Sequence, residues 1–284
     1  MTRLHARPTL DPSLVELLTY CRPHGSATEQ GFVDRYLMTL PGAVMDPHGN
    51  VHVTVGAPDI LWSCHTDTVH REAGRQRLST DGIWIQLAAD SPRNCLGADD
   101  TAGVYLCLHM IAAGRSGHYI FHRGEERGGI GSSALAQHTP DLIAGHRFAI
   151  ALDRAGDSDI VTHQCGQRCC SEVFADSLSA ALAPTFTQHD AYRATTGVYT
   201  DTHEYRHLIP ECTNLSVGYA HAHSARERVN VTHVHRLLTA LIGLRVDVLV
   251  CDRSPDDPDP VPVPRGVTDQ DWWYPAQSYR YTTK

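Results

Sequence analysis

Hydrophobic and polar positions follow two rhythms along the chain, a three-to-four-residue spacing and short apolar runs, and the two alternate for most of its length. Leu14, Leu17 and Leu18, at helical spacing behind Asp11-Pro12-Ser13, predict a first helix. Phe32, Val33, Tyr36 and Leu37 predict a second, with Ser26 or Thr28 near its start. Val44-Met45 and Val51 to Val55 flank Pro47-His48-Gly49-Asn50 as a hairpin, and Ile60 to Cys64 is an apolar run of the buried-strand kind. Residues 77–80 and 83–87 meet at Asp81-Gly82, a strong hairpin turn.

Beyond that point the pattern predicts a helix over about 100–113, a strand over 119–121 and a helix around 132–137. A strand over 148–152, a helix from about 171 to 182 and a strand near 215–217 follow. Val231, Val234, Leu237, Leu238, Leu241 and Ile242 form the apolar face of a last helix. Alternating strands and helices predict an α/β fold: a single-domain three-layer sandwich, its central mostly parallel mixed sheet flanked by helices, with hairpins at one edge. From Asp252 the chain turns Pro- and Asp-rich, which suits neither a helix nor a central strand. Residues 1–251 therefore read as the folded domain and 252–284 as a linker with an aromatic tail. That tail (Trp272, Trp273, Tyr274, Tyr279, Tyr281) suits either a fold-back onto its own domain or contact with a second copy in a homo-oligomer.

Composition narrows the function. With 24 Lys+Arg against 32 Asp+Glu in 284 residues, the formal charge is −8. This disfavours nucleic acid and anionic membrane as partners. No apolar run approaches the roughly 20 residues of a membrane span, and the N-terminal residues turn polar too early for a secretory core. A cytoplasmic location is expected, in which the nine cysteines are reduced thiols and not a disulfide frame. Nineteen histidines make any single one a weak marker, so spacing to a carboxylate carries more weight.

Five clusters fall at or just beyond predicted strand ends, where an open α/β sheet builds its site. They are Ser63-Cys64-His65-Thr66-Asp67, Leu96-Gly97-Ala98-Asp99-Asp100, Gly124-Glu125-Glu126-Arg127-Gly128-Gly129, Leu152-Asp153-Arg154, and His221-Ala222-His223-Ser224-Ala225-Arg226-Glu227. Each alone is also compatible with a polar strand end, a helix cap or a solvated turn. Together, His65, Asp99, Glu126, Asp153 and His223 offer two nitrogens and three carboxylates. Asp99 shared between two ions would give each one His, one further carboxylate and the bridge, as in catalytic metal pairs about 3.5–4 Å apart. Asp67, two residues from His65 in an extended segment, can sit beside its ring. The adjacent glutamates Glu125 and Glu126 repel unless a cation or proton intervenes.

In this order the motifs resemble the co-catalytic dinuclear zinc exopeptidases, the group of bacterial and vacuolar aminopeptidases, more remotely related to peptidase T and the aminoacylase–carboxypeptidase enzymes. The resemblance spans roughly residues 12 to 250. It implies a zinc aminopeptidase-like fold and two divalent metal ions, with zinc expected and cobalt or manganese as alternatives. His65 and Asp153 would hold one ion and Glu126 and His223 the other, with Asp99 bridging, Asp67 orienting His65 and Glu125 as general base. His221 is a rival for His223, but Ser224 and Glu227 match the family's His-Ser-x-x-Glu best. Asp201 resembles a substrate-pocket residue, though a helix cap fits it equally. Only 70 residues separate Asp153 from His223, too few for the lid domain of the aminoacylase–carboxypeptidase group. The implied activity is hydrolysis of N-terminal peptide bonds in a peptide or amino-acid amide by a metal-activated water. The alternatives are a related amidase, dipeptidase or deacylase, and a non-catalytic scaffold. Cys165, Cys169 and Cys170 beside His163 lack the second clean pair of a zinc knot and read as buried thiols near a helix.

Overall fold

A computed structural model of the chain describes residues 12–187 and 190–256. The apolar run Ile60–His65 is buried at every position, and so are Gly117–His122 and Glu211–Ser216. Such strands need cover on both faces, and they lie at the centre of a nine-stranded sheet. Across that centre run Glu211–Ser216, Phe148–Arg154, Ile60–His65 and Gly117–His122, neighbour to neighbour and all parallel. Antiparallel pairings flank this core: Val51–Val55 with Val44–Met45 at one edge, and Asp159–Gln164 with Gln167–Arg168 toward the other. The two-residue side-chain period divides the core between the faces. Trp62, Tyr119, Phe121 and Ile150 pack on one side with Leu106 and Leu152, while Leu61, Ile120 and Ala149 pack on the other with Leu135 and Tyr205.

Helix Ala98–Ala112 covers the first face and contacts both Ile60–His65 and Phe148–Arg154. Gly103 permits this approach, because a Cβ there would lie 2.2 Å from the Leu152 carbonyl oxygen. A second sheet of four short strands, Tyr219–Ala220, Arg228–Asn230, Trp84–Leu87 and Leu78–Thr80, brings the loop after Ala220 beside the segment that leads into this helix.

Most predicted elements are present within a few residues. The strand expected near 215–217 runs over Glu211–Ser216, and the second helix, capped by the Ser26 side chain on Glu29 N–H, passes from Ala27–Phe32 into a wider turn over Val33–Leu37. The strands Asp159–Gln164 and Arg193–Gly197 were not anticipated. The first carries polar Asp, Thr, His and Gln, and its pairing with distant partners supplies what local pattern does not. Cys165 departs from the reading as a buried thiol: it is exposed, whereas Cys169 and Cys170 are buried, and none of the nine cysteines is in a disulfide. Asp252 and Arg253 are tied to the domain, since their N–H groups donate to the buried Glu211 carboxylate at 2.7 and 2.8 Å. The aromatic tail lies outside the described residues.

The Asp46–Asn50 turn is organised by one carboxylate. Asp46 accepts from the N–H groups of His48 and Asn50, the Asn50 amide and His52. Burial opposes its charge, but these donors, His52 foremost, overcome the burial and lower its pKa to about 2. With the folded value below the ordinary one, ionised Asp46 stabilises the folded state above about pH 4, and the benefit fades as pH falls toward 2. Asp46→Asn should therefore cost about 1–2 kcal/mol at pH 7. Urea unfolding should show the gap to the unsubstituted protein closing between pH 4 and 2.

Candidate metal centre

The four parallel strands end on one side of the sheet, so the segments that follow them converge. His65 closes its strand, Asp153 lies one residue from the end of the next, Glu125 and Glu126 follow Gly117–His122 in a short 3-10 turn, and His223 follows Glu211–Ser216. Asp99 sits at the start of helix Ala98–Ala112, and its peptide bond to Asp100 is cis. The structure brings together all five residues singled out as ligands, in two groups that share Asp99. These are His65, Asp99 and Asp153, and Asp99, Glu126 and His223, with candidate ligand atoms in each group within 4.8 Å of one another.

Asp99 divides its oxygens between the groups. Oδ1 lies 3.1 Å from His65 Nε2, and Oδ2 lies 3.2 Å from His223 Nε2. His65 Nε2 is also 3.5 Å from Asp153 Oδ1, and His223 Nε2 is 3.0 Å from Glu126 Oε1. His65 Nδ1 faces the main-chain carbonyl of Asp67 at 3.0 Å. A carbonyl can only accept, so Nδ1 carries the proton and the Nε2 lone pair points at two carboxylates. That arrangement is repulsive unless a second proton or a cation lies between, and a divalent cation suits it. Glu126 agrees: its buried Oε1 forms no well-directed hydrogen bond despite the nearby imidazole, as expected of two groups aimed at one ion. The donor set, two imidazole nitrogens and three carboxylates, fits a pair of divalent ions.

The electrostatics match. Burial raises the Glu126 pKa to about 7, helped by the Asp99 charge, and raises Asp153 with Asp99 again contributing. The Asp99 and Glu126 carboxylates that face its ring raise His223 to about 11. Burial works against the His65 imidazolium, but Asp153, Asp67 and Asp99 outweigh it and hold its pKa well above the usual value. Half-buried Glu125 is pushed well up by burial and, after the opposing effect of His65, by Asp153, Asp201 and Glu126. Crowded acid of this kind is relieved by positive charge.

Supporting groups fix each member. Asp153 Oδ2 accepts from Thr200 Oγ1 at 2.7 Å, its N–H donates to Asn214 Oδ1, and its carbonyl accepts from the Tyr219 hydroxyl. Asp67 meets the His65 ring with both its carbonyl and its carboxylate. The carbonyl is 3.0 Å and the carboxylate Oδ1 3.6 Å from Nδ1, and Oδ1 also accepts from the N–H groups of Gly124 and Glu125, both at 3.1 Å. Asp67 thus ties the His65 strand end to the Glu125 turn. Behind this segment the fully buried Arg22 donates to the Thr66 carbonyl and to Thr101 Oγ1.

The sequence reading missed the role of Glu227. Completely buried, it accepts from the N–H groups of Leu96 and Gly97 on Oε2 and of Asp99 on Oε1, at 2.9 to 3.0 Å. It therefore caps, from another part of the chain, the helix that presents Asp99. Gly97 takes φ of +73°, and a Cβ there would strike His70 at 2.7 Å, so the turn needs glycine. Asp201 is not a cap. Thr200 occupies that position, and Asp201 is buried with Oδ1 unpartnered, its pKa raised to about 8 first by burial. His221 is exposed and makes none of the close carboxylate contacts of His223.

No protein-family model and no curated protein matches the chain. Solved structures do. The TET1 peptidase of Pyrococcus horikoshii aligns over 81% of this chain and 98% of its own, with TM-score 0.60 and 15% identity. A tripeptidase of Staphylococcus aureus aligns over 83% and 96% (0.62, 14%), and the aminopeptidase PepT of Bacillus cereus over 81% and 96% (0.60, 13%). At these identities the likeness establishes a shared fold, that of TET- and PepT-type aminopeptidases.

Removing the Glu227 cap should loosen Asp99 and with it both groups. Glu227→Ala is expected to weaken zinc binding about 10- to 100-fold, as read by competition with a chromogenic chelator. An unchanged affinity would show that the Asp99 turn holds itself.

Proposed function

We propose that this protein is a metal-dependent exopeptidase of the aminopeptidase type, hydrolysing N-terminal peptide bonds. The observation that carries the reading is the division of Asp99, one carboxylate oxygen facing His65 and Asp153 and the other facing His223 and Glu126. Two divalent cations held there, zinc first among them, would supply Lewis acidity toward a carbonyl and lower the pKa of water. Glu125 is then the general base: it takes the proton of the attacking water and returns it to the departing amine. Its burial and acidic neighbours raise its proton affinity, and Asp67 holds its main chain against the His65 strand end. The free ammonium of a substrate would be drawn to the same acid-rich surroundings, with Asp201 and its unpartnered oxygen as a candidate contact.

The fold supports this reading through its likeness to peptidases. No described helix is long and apolar enough to cross a membrane, and a cytoplasmic setting belongs to the proposal. Self-association through the aromatic tail belongs to it too. The Pyrococcus TET1 peptidase can assemble into a tetrahedron or a large octahedral shell.

Gently purified protein should contain two equivalents of metal by elemental analysis, and none would favour a scaffold. Aminoacyl-anilides should be cleaved, chelator should abolish cleavage, and zinc, cobalt or manganese should restore it. Turnover of N-acyl amino acids alone would move the assignment to a deacylase. Glu125→Gln should keep both metal equivalents and lose activity by about 10²- to 10⁴-fold. A variant near wild type would show that another group handles the proton.

A further inference from the structure

Beside the candidate metal centre lies an open cleft of about 470 Å³. Its walls come from the loop that carries His223 and from the segment after strand Trp84–Leu87, the two stretches joined when Arg228–Asn230 pairs with that strand. Gln86, Ser91, His221, Arg226 and Arg228 line it, and no acidic residue does among the described residues. In a chain of net charge −8, whose neighbouring site is crowded with carboxylates, this is a local reversal of sign.

Arg228 is arranged to receive something. Its guanidinium carbon lies over the Trp84 ring, 4.2 Å from the centroid, and its buried Nε has no hydrogen-bond partner. The ring holds the guanidinium in place without satisfying its N–H groups, and a carboxylate is the partner that suits such a group. Asp81 is near enough to feel Arg228, but its carboxylate is engaged first by the N–H groups of Trp84 and Ile83. Arg226 is exposed, and among the described residues neither arginine forms an ion pair.

We infer that this cleft is an anion subsite beside the His223 position and that it receives a carboxylate of the substrate. The identity of the carboxylate's carrier rests on the exopeptidase reading, whereas the sign of the charge rests on the cleft alone. The carrier is either an acidic side chain on the residue removed or the C-terminal carboxylate of a short peptide. Both present the same group to Arg226 and Arg228.

Four substrates separate these sources in zinc-loaded enzyme: Leu- and Glu-p-nitroanilide, and Leu-Gly-Gly with its C-terminal amide. One of the two kcat/KM ratios, Glu over Leu anilide or free acid over amide, should favour the carboxylate about tenfold. In Arg226→Ala/Arg228→Gln that ratio should collapse toward one, chiefly through KM. Ratios near one in the wild type, or a preference untouched by the substitutions, would overturn the subsite. Glutarate titrated by calorimetry into the zinc-loaded protein tests the cleft without any turnover. Affinity about tenfold weaker in the double variant supports the subsite even if no peptide is cleaved, and equal affinity overturns it. Arg226→Ala alone, which spares the Trp84 contact, should weaken glutarate measurably, so that a folding defect in the double variant does not decide the outcome.

Discussion

Everything distinctive in this molecule depends on holding one carboxylate between two imidazoles. Asp99 faces His65 with one oxygen and His223 with the other, and further carboxylates crowd in behind each ring. Left to themselves, such groups would separate or take up protons, because burial penalises their charge and their neighbours repel them. What keeps them together is main-chain restraint. Glu227 grips three N–H groups around Asp99, Asp67 grips two around Glu125, and the Asp67 carbonyl fixes the tautomer of His65. The carboxylates that brace the site are therefore distinct from those that point into it.

This division of labour explains why the surrounding sheet has its order. Parallel strands buried on both faces must be joined by crossovers, so their C-terminal ends and the loops that follow gather at one edge. Four such ends deliver His65, Asp153, the Glu125–Glu126 turn and the His223 loop. The small second sheet then draws the His223 loop against the segment leading to Asp99. That one pairing places Glu227 under the helix start and opens the arginine-lined cleft on the outer side. Bracing of the bridge and the shape of the adjoining pocket are consequences of the same contact.

Much of this was legible beforehand. Three of the four central strands carry apolar runs, over 60–62, 119–121 and 148–152, and His or acid follows each run, so both the sheet and its functional edge could be anticipated. The strand Asp159–Gln164 could not, because its place in the sheet rests on partners 30 to 55 residues away. Glu227 was visible as part of a motif, but a cap supplied from 130 residues along the chain leaves no local trace. Thr200 and Tyr219 are ordinary residues by sequence and matter only for where their hydroxyls end up, on Asp153. Asp67 is legible beside His65, but its hold on the N–H groups of Gly124 and Glu125 depends on the fold.

The sequence by itself determined the kind of chemistry available: which side chains carry nitrogen or carboxylate, their order, and the strands whose ends they occupy. These are properties of composition and short-range periodicity, and both survive without a fold. Only the tertiary structure decided which oxygen of Asp99 faces which ring, which carboxylates brace and which remain unsatisfied, and that two arginines share a cleft that no acid lines among the described residues. Such matters depend on distances of about 3 Å between residues far apart in the chain, and no local pattern encodes them.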